Sequence, residues 1–381
     1  MNCTRIIKFL FGALFFATPL IFNSMNSELF ELPKMYFVYF ISTLILSLHL
    51  INVINYRQIL FKRSFLDIPL LIFITSQIIS TIFSIDPHTS IFGYYSRLNG
   101  GLLSLFSYAL LYWILIVYLD NKLKKEILIF SLISGIIVAT YGILEHFGID
   151  KHIWVQDVQN RVFSTLGQPN WLATYLCILI ALFFNSPFAI LFFFCLIFTR
   201  SKTGIFASII ILPFLFGKSR IRLVNSLLLI SLVTFFFLNK KPSLPTSPTL
   251  NITASENIRK IVWQGAIDLY KRYPLIGTGV ESFAYSYYWT RPASHNLTSE
   301  WEYLYNKAHN EYINYLATTG TFGFVSYSII IISCLFHFFK KKQFIYLAAY
   351  LSILITNFSG FSVVVTSLYF YLLPALISDE K

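Results

Sequence analysis

Two cations lie in a short polar turn between two apolar segments. Residues 199–204 read TRSKTG, so the turn carries Arg200, Lys202 and three hydroxyl groups. Guanidinium and ammonium groups donate hydrogen bonds to phosphate oxygens, and backbone N–H groups at the start of the next helix add further donors. This combination suits a diphosphate. The alternative is that both side chains extend to lipid headgroups while their stems stay in the membrane.

A second candidate site begins at His309, at the start of a later apolar segment, and Asn310 follows it directly. A neutral imidazole can take a proton from an attacking hydroxyl, and its usual pKa of about 6.5 suits that task. The alternative is a boundary histidine that bonds to water or to the backbone. His309 is therefore a candidate general base, and Asn310 is a candidate for substrate contact beside it.

Three loops carry further candidates. Arg259 lies one turn before Trp263 on a predicted loop helix, where an arginine over an aromatic ring can recognise an anionic or sugar ligand. The alternative for Arg259 is a solvated helix face. Arg97 begins the run RLNGG, while Arg161 and Asn170 flank another Gly- and Pro-containing stretch. For these two loops the alternative is a simple turn, because Gly pairs and Pro-Asn dipeptides mark turns.

The composition indicates what positions these residues. Of 381 residues, 56% are hydrophobic and only 12% are charged, whereas a soluble globular chain carries roughly 25% charged residues. Most of the surface must therefore face lipid. The net charge of +12 does not indicate nucleic acid, because the basic residues fall in short clusters between apolar runs, as they do in membrane proteins.

A helix needs about 20 apolar residues to cross a hydrocarbon core of about 30 Å. We predict an all-α integral membrane protein of about 12 transmembrane helices, nine of them within residues 1–238 and three within 311–381. The predicted spans are Ile6–Phe22, Tyr36–Ile54, Leu66–Phe83, Leu102–Leu119, Ile127–Phe147, Trp171–Phe184, Phe188–Thr199, Gly204–Phe216, Leu223–Leu238, Tyr312–Phe339, Phe344–Thr356 and Ser362–Ile377.

The basic residues set the orientation of these spans. With the N-terminus inside, the cytoplasmic loops hold 14 basic residues and the short outer loops hold six. This asymmetry follows the positive-inside rule. We therefore predict that both termini are cytoplasmic and that the turn with Arg200 and Lys202 lies outside, where the rule does not explain its cations.

One long polar segment, residues 239–310, interrupts the pattern of short loops and lies outside in this topology. It opens with a Pro-rich linker at 242–248, which should be extended. Thr253 and Glu256 then form a capping box, and apolar residues recur at helical spacing after them. This pattern predicts an amphipathic helix near 255–273.

Four segments together resemble the O-antigen ligase family, which also includes O-antigen polymerases and bacterial O-linked protein oligosaccharyltransferases. Residues 309–323 match its pattern of His, then Asn, Ser or Gln, nine residues, Gly, two residues, Gly. Residues 199–204 resemble its TGSRTG turn, and 161–170 match its R-x-x-S-T-x-G-x-P-N segment. Residues 274–279 fit its P-x-x-G-x-G stretch. The similarity runs in order from about residue 90 to 340.

The resemblance implies transfer of a glycan from undecaprenyl diphosphate to an acceptor hydroxyl, on the outer face of a bacterial inner membrane. Arg200 and Arg259 would match arginines that hold the diphosphate, and His309 would match the histidine that activates the acceptor. Lys202 stands where the family has arginine, and lysine lacks the bidentate fork. The remaining substrate-binding candidates are Arg97, Arg161, Asn170 and Asn310.

The partners implied are an undecaprenyl-diphosphate-linked glycan and a glycan, lipid or protein acceptor, within the lipid bilayer. No cofactor or metal is expected, since family members are thought to need none and the sequence has no carboxylate cluster. Alternatives are a polysaccharide polymerase, a protein O-oligosaccharyltransferase or, less favoured, a transporter. A transporter would carry charges near the membrane midplane, and Glu145 comes nearest to that description.

Overall fold

The computed structural model describes residues 3–24, 28–215, 253 and 255–377. Every regular element within these ranges is a helix, which confirms the all-α prediction. The predicted ninth span, Leu223–Leu238, lies outside the described residues, as do the Pro-rich linker at 242–248 and the basic loop at 218–222.

The α-helices that the structure describes are α1 Cys3–Ala17, α2 Glu31–Tyr56, α3 Asp67–Ile82, α4 Pro87–Phe92, α5 Leu102–Tyr118, α6 Asn121–His146, α7 Pro169–Leu182, α8 Phe188–Phe198, α9 Lys202–Leu215, α10 Ser255–Arg272, α11 Phe283–Ser286, α12 Glu311–Lys340, α13 Phe344–Asn357 and α14 Val364–Leu372. Short 3-10 helices occupy Ser164–Leu166, Tyr287–Trp289, Ala293–Leu297 and Leu373–Ile377.

Three described helices, α2, α6 and α12, are long and apolar enough to cross a membrane. Seven shorter apolar helices accompany them. Eleven of the predicted spans fall on helices, although α1 ends at Ala17, five residues before the predicted Phe22. These helices are those of an integral membrane protein, while the count of twelve crossings stays a prediction.

Helix α7 lies at the centre of the bundle. Residues 171–181 are all buried, and the helix packs against α8, α9, α13 and α14. A helix that is apolar on every side is typical of a buried position. Helix α12 packs against α3 and against the loop helix α10. The starts of α7, α9 and α12 carry Asn170, Lys202 and Asn310, so this packing sets the distances between candidate residues.

Helix α12 is interrupted at Gly320, whose φ of 64° and ψ of −166° are not helical. The segment that follows α10 fills the interruption. The N–H of Thr321 donates to the carbonyl of Pro274 over 2.8 Å, and the N–H of Gly279 donates to the carbonyl of Thr318 over 2.8 Å. Lipid offers no hydrogen bonds to a broken helix, so these contacts are what make the break tolerable. Residues 274–279 and the segment around Gly320, which carry two of the family-like glycine motifs, therefore pack against each other.

Glu145, near the end of α6, is fully buried. Its Oε2 accepts hydrogen bonds from the N–H groups of Phe163 at 3.1 Å and Ser164 at 2.7 Å. A carboxylate that accepts two backbone hydrogen bonds holds a loop in place. Glu145 therefore has a structural role, and its buried charge no longer supports the transporter alternative.

Two further buried charges, which the sequence analysis did not identify, lie on α2. The ammonium of Lys34 donates to the carbonyl of Thr165 over 2.8 Å, and Glu31 accepts from the N–H of Val364 over 2.7 Å. Both side chains are fully buried. Together with Glu145 they fix the loop before α7 and the start of α14 to the bundle.

Replacing Gly320 with alanine should destabilise the protein. The left-handed φ costs an L-residue about 1–2 kcal/mol, and a side chain at this position would also overlap the backbone of Leu275. We expect a lower midpoint of thermal unfolding in detergent micelles. The matched control is Gly12→Ala in α1, where the backbone is helical and the new methyl would meet the side chain of Phe130 rather than backbone atoms. Equal midpoints for the two variants would contradict the role assigned to Gly320.

Candidate active site

The turn at 199–204 is joined to the loop before α7. The Oγ of Ser201 donates to the Oδ1 of Asn170 over 2.8 Å, and the Nη1 of Arg200 donates to the Oδ1 of Asn160. Arg161 donates from Nε to the carbonyl of Thr199 over 3.2 Å. Two segments that the sequence separates by about thirty residues therefore form one polar unit.

Helix α10, which belongs to the long polar segment, is joined to this polar unit by an ion pair. The ammonium of Lys202 lies 2.5 Å from the carboxylate of Glu256, and both side chains are exposed. One turn further along α10, the half-buried Arg259 has its pKa lowered by removal from water. The pKa of Arg161 is also lowered, first by partial loss of water and then by the charges of Arg259 and Arg200. Three guanidinium groups are thus close enough to affect one another.

Thr253 and Glu256, the predicted capping box, have other partners. Thr253 exchanges two hydrogen bonds with Ser299, each of 3.1 Å between the N–H of one residue and the hydroxyl of the other. Glu256 pairs with Lys202. These contacts tie the start of α10 to the loop that leads to His309 and to the turn at 199–204.

His309 lies between two aromatic rings, with centroid distances of 5.6 Å to Tyr305 and 5.3 Å to Phe361. It lines a small cleft together with Arg259, so two of the three predicted catalytic residues share one cleft, while Arg200 does not line it. The cleft encloses about 320 Å³, counting the part open to solvent. Its lining is Gln168, Asn170, Trp171, Thr174, Thr203, Arg259, His309, Thr356, Asn357, Ser359, Gly360 and Phe361.

The surroundings of His309 favour the neutral imidazole. Burial, together with the positive charges of Arg259 and Arg97, lowers its pKa to about 4. At pH 7 the ring is therefore uncharged and has a nitrogen free to accept a proton. In this environment His309 can act as a base, whereas the guanidinium groups supply the positive charge.

The backbone on both sides of His309 is tied down. The indole N–H of Trp263 donates to the carbonyl of Ala308 over 3.0 Å, and the N–H of Ala308 donates to the Oδ1 of Asn314 over 3.1 Å. The Oδ1 of Asn310 accepts from two N–H groups in the first turn of α12, so it caps that helix. Trp263 therefore holds the backbone next to His309. Asn310 has a structural role in addition to its predicted substrate contact.

Arg97 contacts aromatic rings rather than the cleft itself. Its guanidinium carbon lies 5.2 Å from the ring centroid of Trp171 and 5.0 Å from that of Phe361, and its Nε lies 3.9 Å from Glu28. The Nε and Nη1 groups are buried without a hydrogen-bond acceptor. Cation–π contact and the charge of Glu28 account for the position.

Phe361 is a site residue that the sequence analysis did not identify. Its ring contacts His309 and Arg97, as described above, and lies 6.0 Å from the ring of Trp171. It belongs to the short connection between α13 and α14, where no motif spacing marks it. The adjacent Ser359 and Gly360 indicate a turn, but nothing in that signal points to the distant His309.

The fold and the cleft define an integral membrane protein that holds a guanidinium group and a neutral imidazole side by side. The family model described as O-antigen ligase matches residues 187–328. This match, over part of the chain, confirms the resemblance that the motifs carry; members of that family are glycosyl-transferring ligases and polymerases. Arg200, Arg259 and His309 fall within the matched residues.

Lys202 and Asn310 also fall within that range. Arg97, Arg161 and Asn170 precede the matched residues, and of these three Asn170 lines the cleft. No curated protein is significantly similar to the chain.

Because Lys202 pairs with α10, positions 202 and 260 must lie on the same side of the membrane. Cysteines at Lys202 and Lys260 should react equally with a membrane-impermeant maleimide applied from outside the inner membrane. Cysteines at Arg57 and Lys342, in predicted cytoplasmic loops, should react only after the membrane is opened. The four native cysteines are buried, so background labelling should be low. Labelling of positions 202 and 260 from opposite sides would contradict the site described here.

Proposed function

We propose that the protein transfers a glycan from undecaprenyl diphosphate to an acceptor hydroxyl on the outer face of a bacterial inner membrane. The observation that carries this proposal is that Arg259 and a neutral His309 line one cleft, with Arg161 and Arg200 beside it. Guanidinium groups match the oxygens of a diphosphate. An imidazole that is uncharged at pH 7 matches the need to remove a proton from a hydroxyl.

The reaction is a single inverting displacement. The acceptor oxygen forms a bond to the anomeric carbon of the glycan while the bond from that carbon to the diphosphate oxygen breaks. The diphosphate leaves with the electron pair, and the hydroxyl proton passes to a ring nitrogen of His309. Cations placed beforehand around the leaving oxygen stabilise the charge that develops there, so they lower the barrier more than they stabilise the bound donor.

The same cations couple donor binding to the basicity of His309. Arg259 and Arg97 lower the pKa of His309 in the unliganded cleft. A bound diphosphate would neutralise part of that positive charge, so the pKa of His309 would rise. The histidine would then accept a proton more readily when the donor is in place than when the cleft is empty.

The diphosphate contacts are assigned to Arg200 and Arg259, and Lys202 is given a peripheral role. Lys202 stands where the family has arginine, and its ammonium already pairs with the exposed Glu256. Arg161 and Asn170 are proposed to hold the turn from which Arg200 extends. Metal independence also belongs to this proposal, because guanidinium groups supply the positive charge that a metal would otherwise provide.

A polymerase is the closest alternative, since the family contains ligases and polymerases alike. Both use the same donor, and they differ in the acceptor, which for a polymerase is another lipid-linked chain. Gel analysis of the product separates them: a ladder of lengths indicates polymerisation, and one added block indicates ligation.

Replacing Arg259 or His309 with alanine should greatly reduce transfer from purified lipid-linked glycan in membranes. Removing one preorganised donor to a developing negative charge typically lowers kcat by about 10²–10³-fold, and we expect a loss of that order for each variant. The control is Lys260→Ala, because Lys260 is the exposed neighbour of Arg259 on α10. Near wild-type transfer by both the Arg259 and the His309 variants would remove the catalytic assignment.

The pH profile offers a separate test. The base is lost when His309 becomes protonated, so kcat/KM should stay level from pH 7 to pH 5 and fall as the pH decreases through the pKa of about 4. Arg97→Gln removes a positive charge that lowers this pKa, so its acid limb should lie at higher pH than that of the wild type. Steady-state rates over pH 3.5–8 measure this, and identical acid limbs in the two proteins would contradict the assignment.

A further inference from the structure

A buried ion pair lies two residues before His309. The ammonium of Lys307 donates to the Oε1 of Glu281, and the two side chains are only 10% and 6% exposed. Glu281 has a left-handed backbone with a φ of 58°. Its carboxylate lies where a side chain at position 100 would be, so Gly100 is what leaves room for it. The pair therefore links the loop after α4, the segment that fills the break in α12, and the approach to His309.

Stability alone does not account for this pair. Removing two charges from water costs free energy that their attraction often fails to recover, and apolar residues of similar size are frequently as stable or more stable. The bundle has abundant apolar residues that could serve here. Lys307 also interacts electrostatically with Glu311, so the site holds two buried carboxylates for one ammonium. Such an arrangement is expected where geometry matters more than stability.

The pair bears on the backbone conformation of His309. Its φ of 52° is left-handed, a conformation that persists only where the flanking structure imposes it. On its C-terminal side, Asn310 caps α12. On its N-terminal side, Trp263 and Asn314 hold Ala308, and Lys307 is the next residue. The ammonium of Lys307 also lies 6.0 Å from the ring centroid of Phe361, the ring against which His309 packs.

We infer that Lys307 and Glu281 are positioning residues, whose buried pair holds the imidazole of His309 at the acceptor hydroxyl. This inference rests on the proposed function. Neither residue lines the cleft that contains Arg259 and His309. Both line a separate cavity, together with Gly100 and Glu311, so we place them outside the diphosphate contacts. The pair acts through the backbone of residues 307–309 and through the orientation of the Phe361 ring.

Substitutions of Lys307 and of Glu281 should lower kcat to different extents. Lys307→Met leaves Glu281 and Glu311 buried without a cation, whereas Glu281→Gln leaves Lys307 with Glu311. The loss should therefore be larger for Lys307→Met. Displacing a reacting group by about 1 Å can cost about 10²-fold in rate, so we expect kcat to fall at least tenfold in Lys307→Met, with the KM for the lipid-linked donor within about threefold of wild type.

The experiment measures kcat, donor KM and the folded fraction for both single variants and for two double variants. The first double variant, Lys307→Glu with Glu281→Lys, restores a pair with reversed charges and should recover kcat to within a few-fold. The second, Lys307→Gln with Glu281→Gln, removes both charges of the pair and leaves Glu311 as the one buried carboxylate beside it. It should fold even where Lys307→Met does not, and its kcat should be low. Lys260→Ala again serves as the exposed control.

Including His309→Ala separates this inference from the proposed function. If the wild-type protein transfers no glycan, the proposed function fails. If His309→Ala transfers glycan at the wild-type rate, the catalytic assignment of His309 fails and the positioning role fails with it. If His309→Ala is inactive but folded Lys307→Gln/Glu281→Gln protein has wild-type kcat, the positioning role alone is overturned. A rise in donor KM with unchanged kcat overturns it as well, because that result would assign the pair to donor binding.

Discussion

Backbone groups that leave a helix inside a bundle of apolar helices must find hydrogen-bond partners within the protein, because lipid offers none. This constraint explains the most unusual contacts in the molecule. The break at Gly320 is filled by the carbonyl of Pro274, and the loop before α7 is held by Glu145 and Lys34. Buried charges serve here as ligands for loop backbone rather than as groups that move through a transport path.

The cleft depends on those same contacts. Its residues come from the loop before α7, the turn before α9, helix α10, the approach to α12 and the connection after α13. Apart from α10, these segments are loops, turns or helix ends, and the bundle fixes their positions. Loops that carry function on a rigid scaffold are common in enzymes. Here the scaffold is a central buried helix, α7, with a functional loop attached to its first turn.

Repulsion between neighbouring positive charges is the second feature that organises the site. Arg259 and Arg97 lower the pKa of His309, and the guanidinium of Arg161 is affected by Arg259 and Arg200. Cations that repel one another are held together only if a larger free energy is gained elsewhere in the fold. Under the proposed function, a bound diphosphate would relieve this repulsion and raise the pKa of His309.

The sequence by itself determined the helical class and the positions of most helices, and it singled out Arg200, Arg259 and His309 as candidates. These follow from the length of apolar runs and from local motif spacing, which are properties of neighbouring residues. Only the tertiary structure decided that Phe361 packs on His309, that Lys307 pairs with Glu281, and that the side-chain oxygen of Asn310 caps a helix. These contacts join residues whose separation along the chain bears no fixed relation to their distance in space, so no local pattern could reveal them.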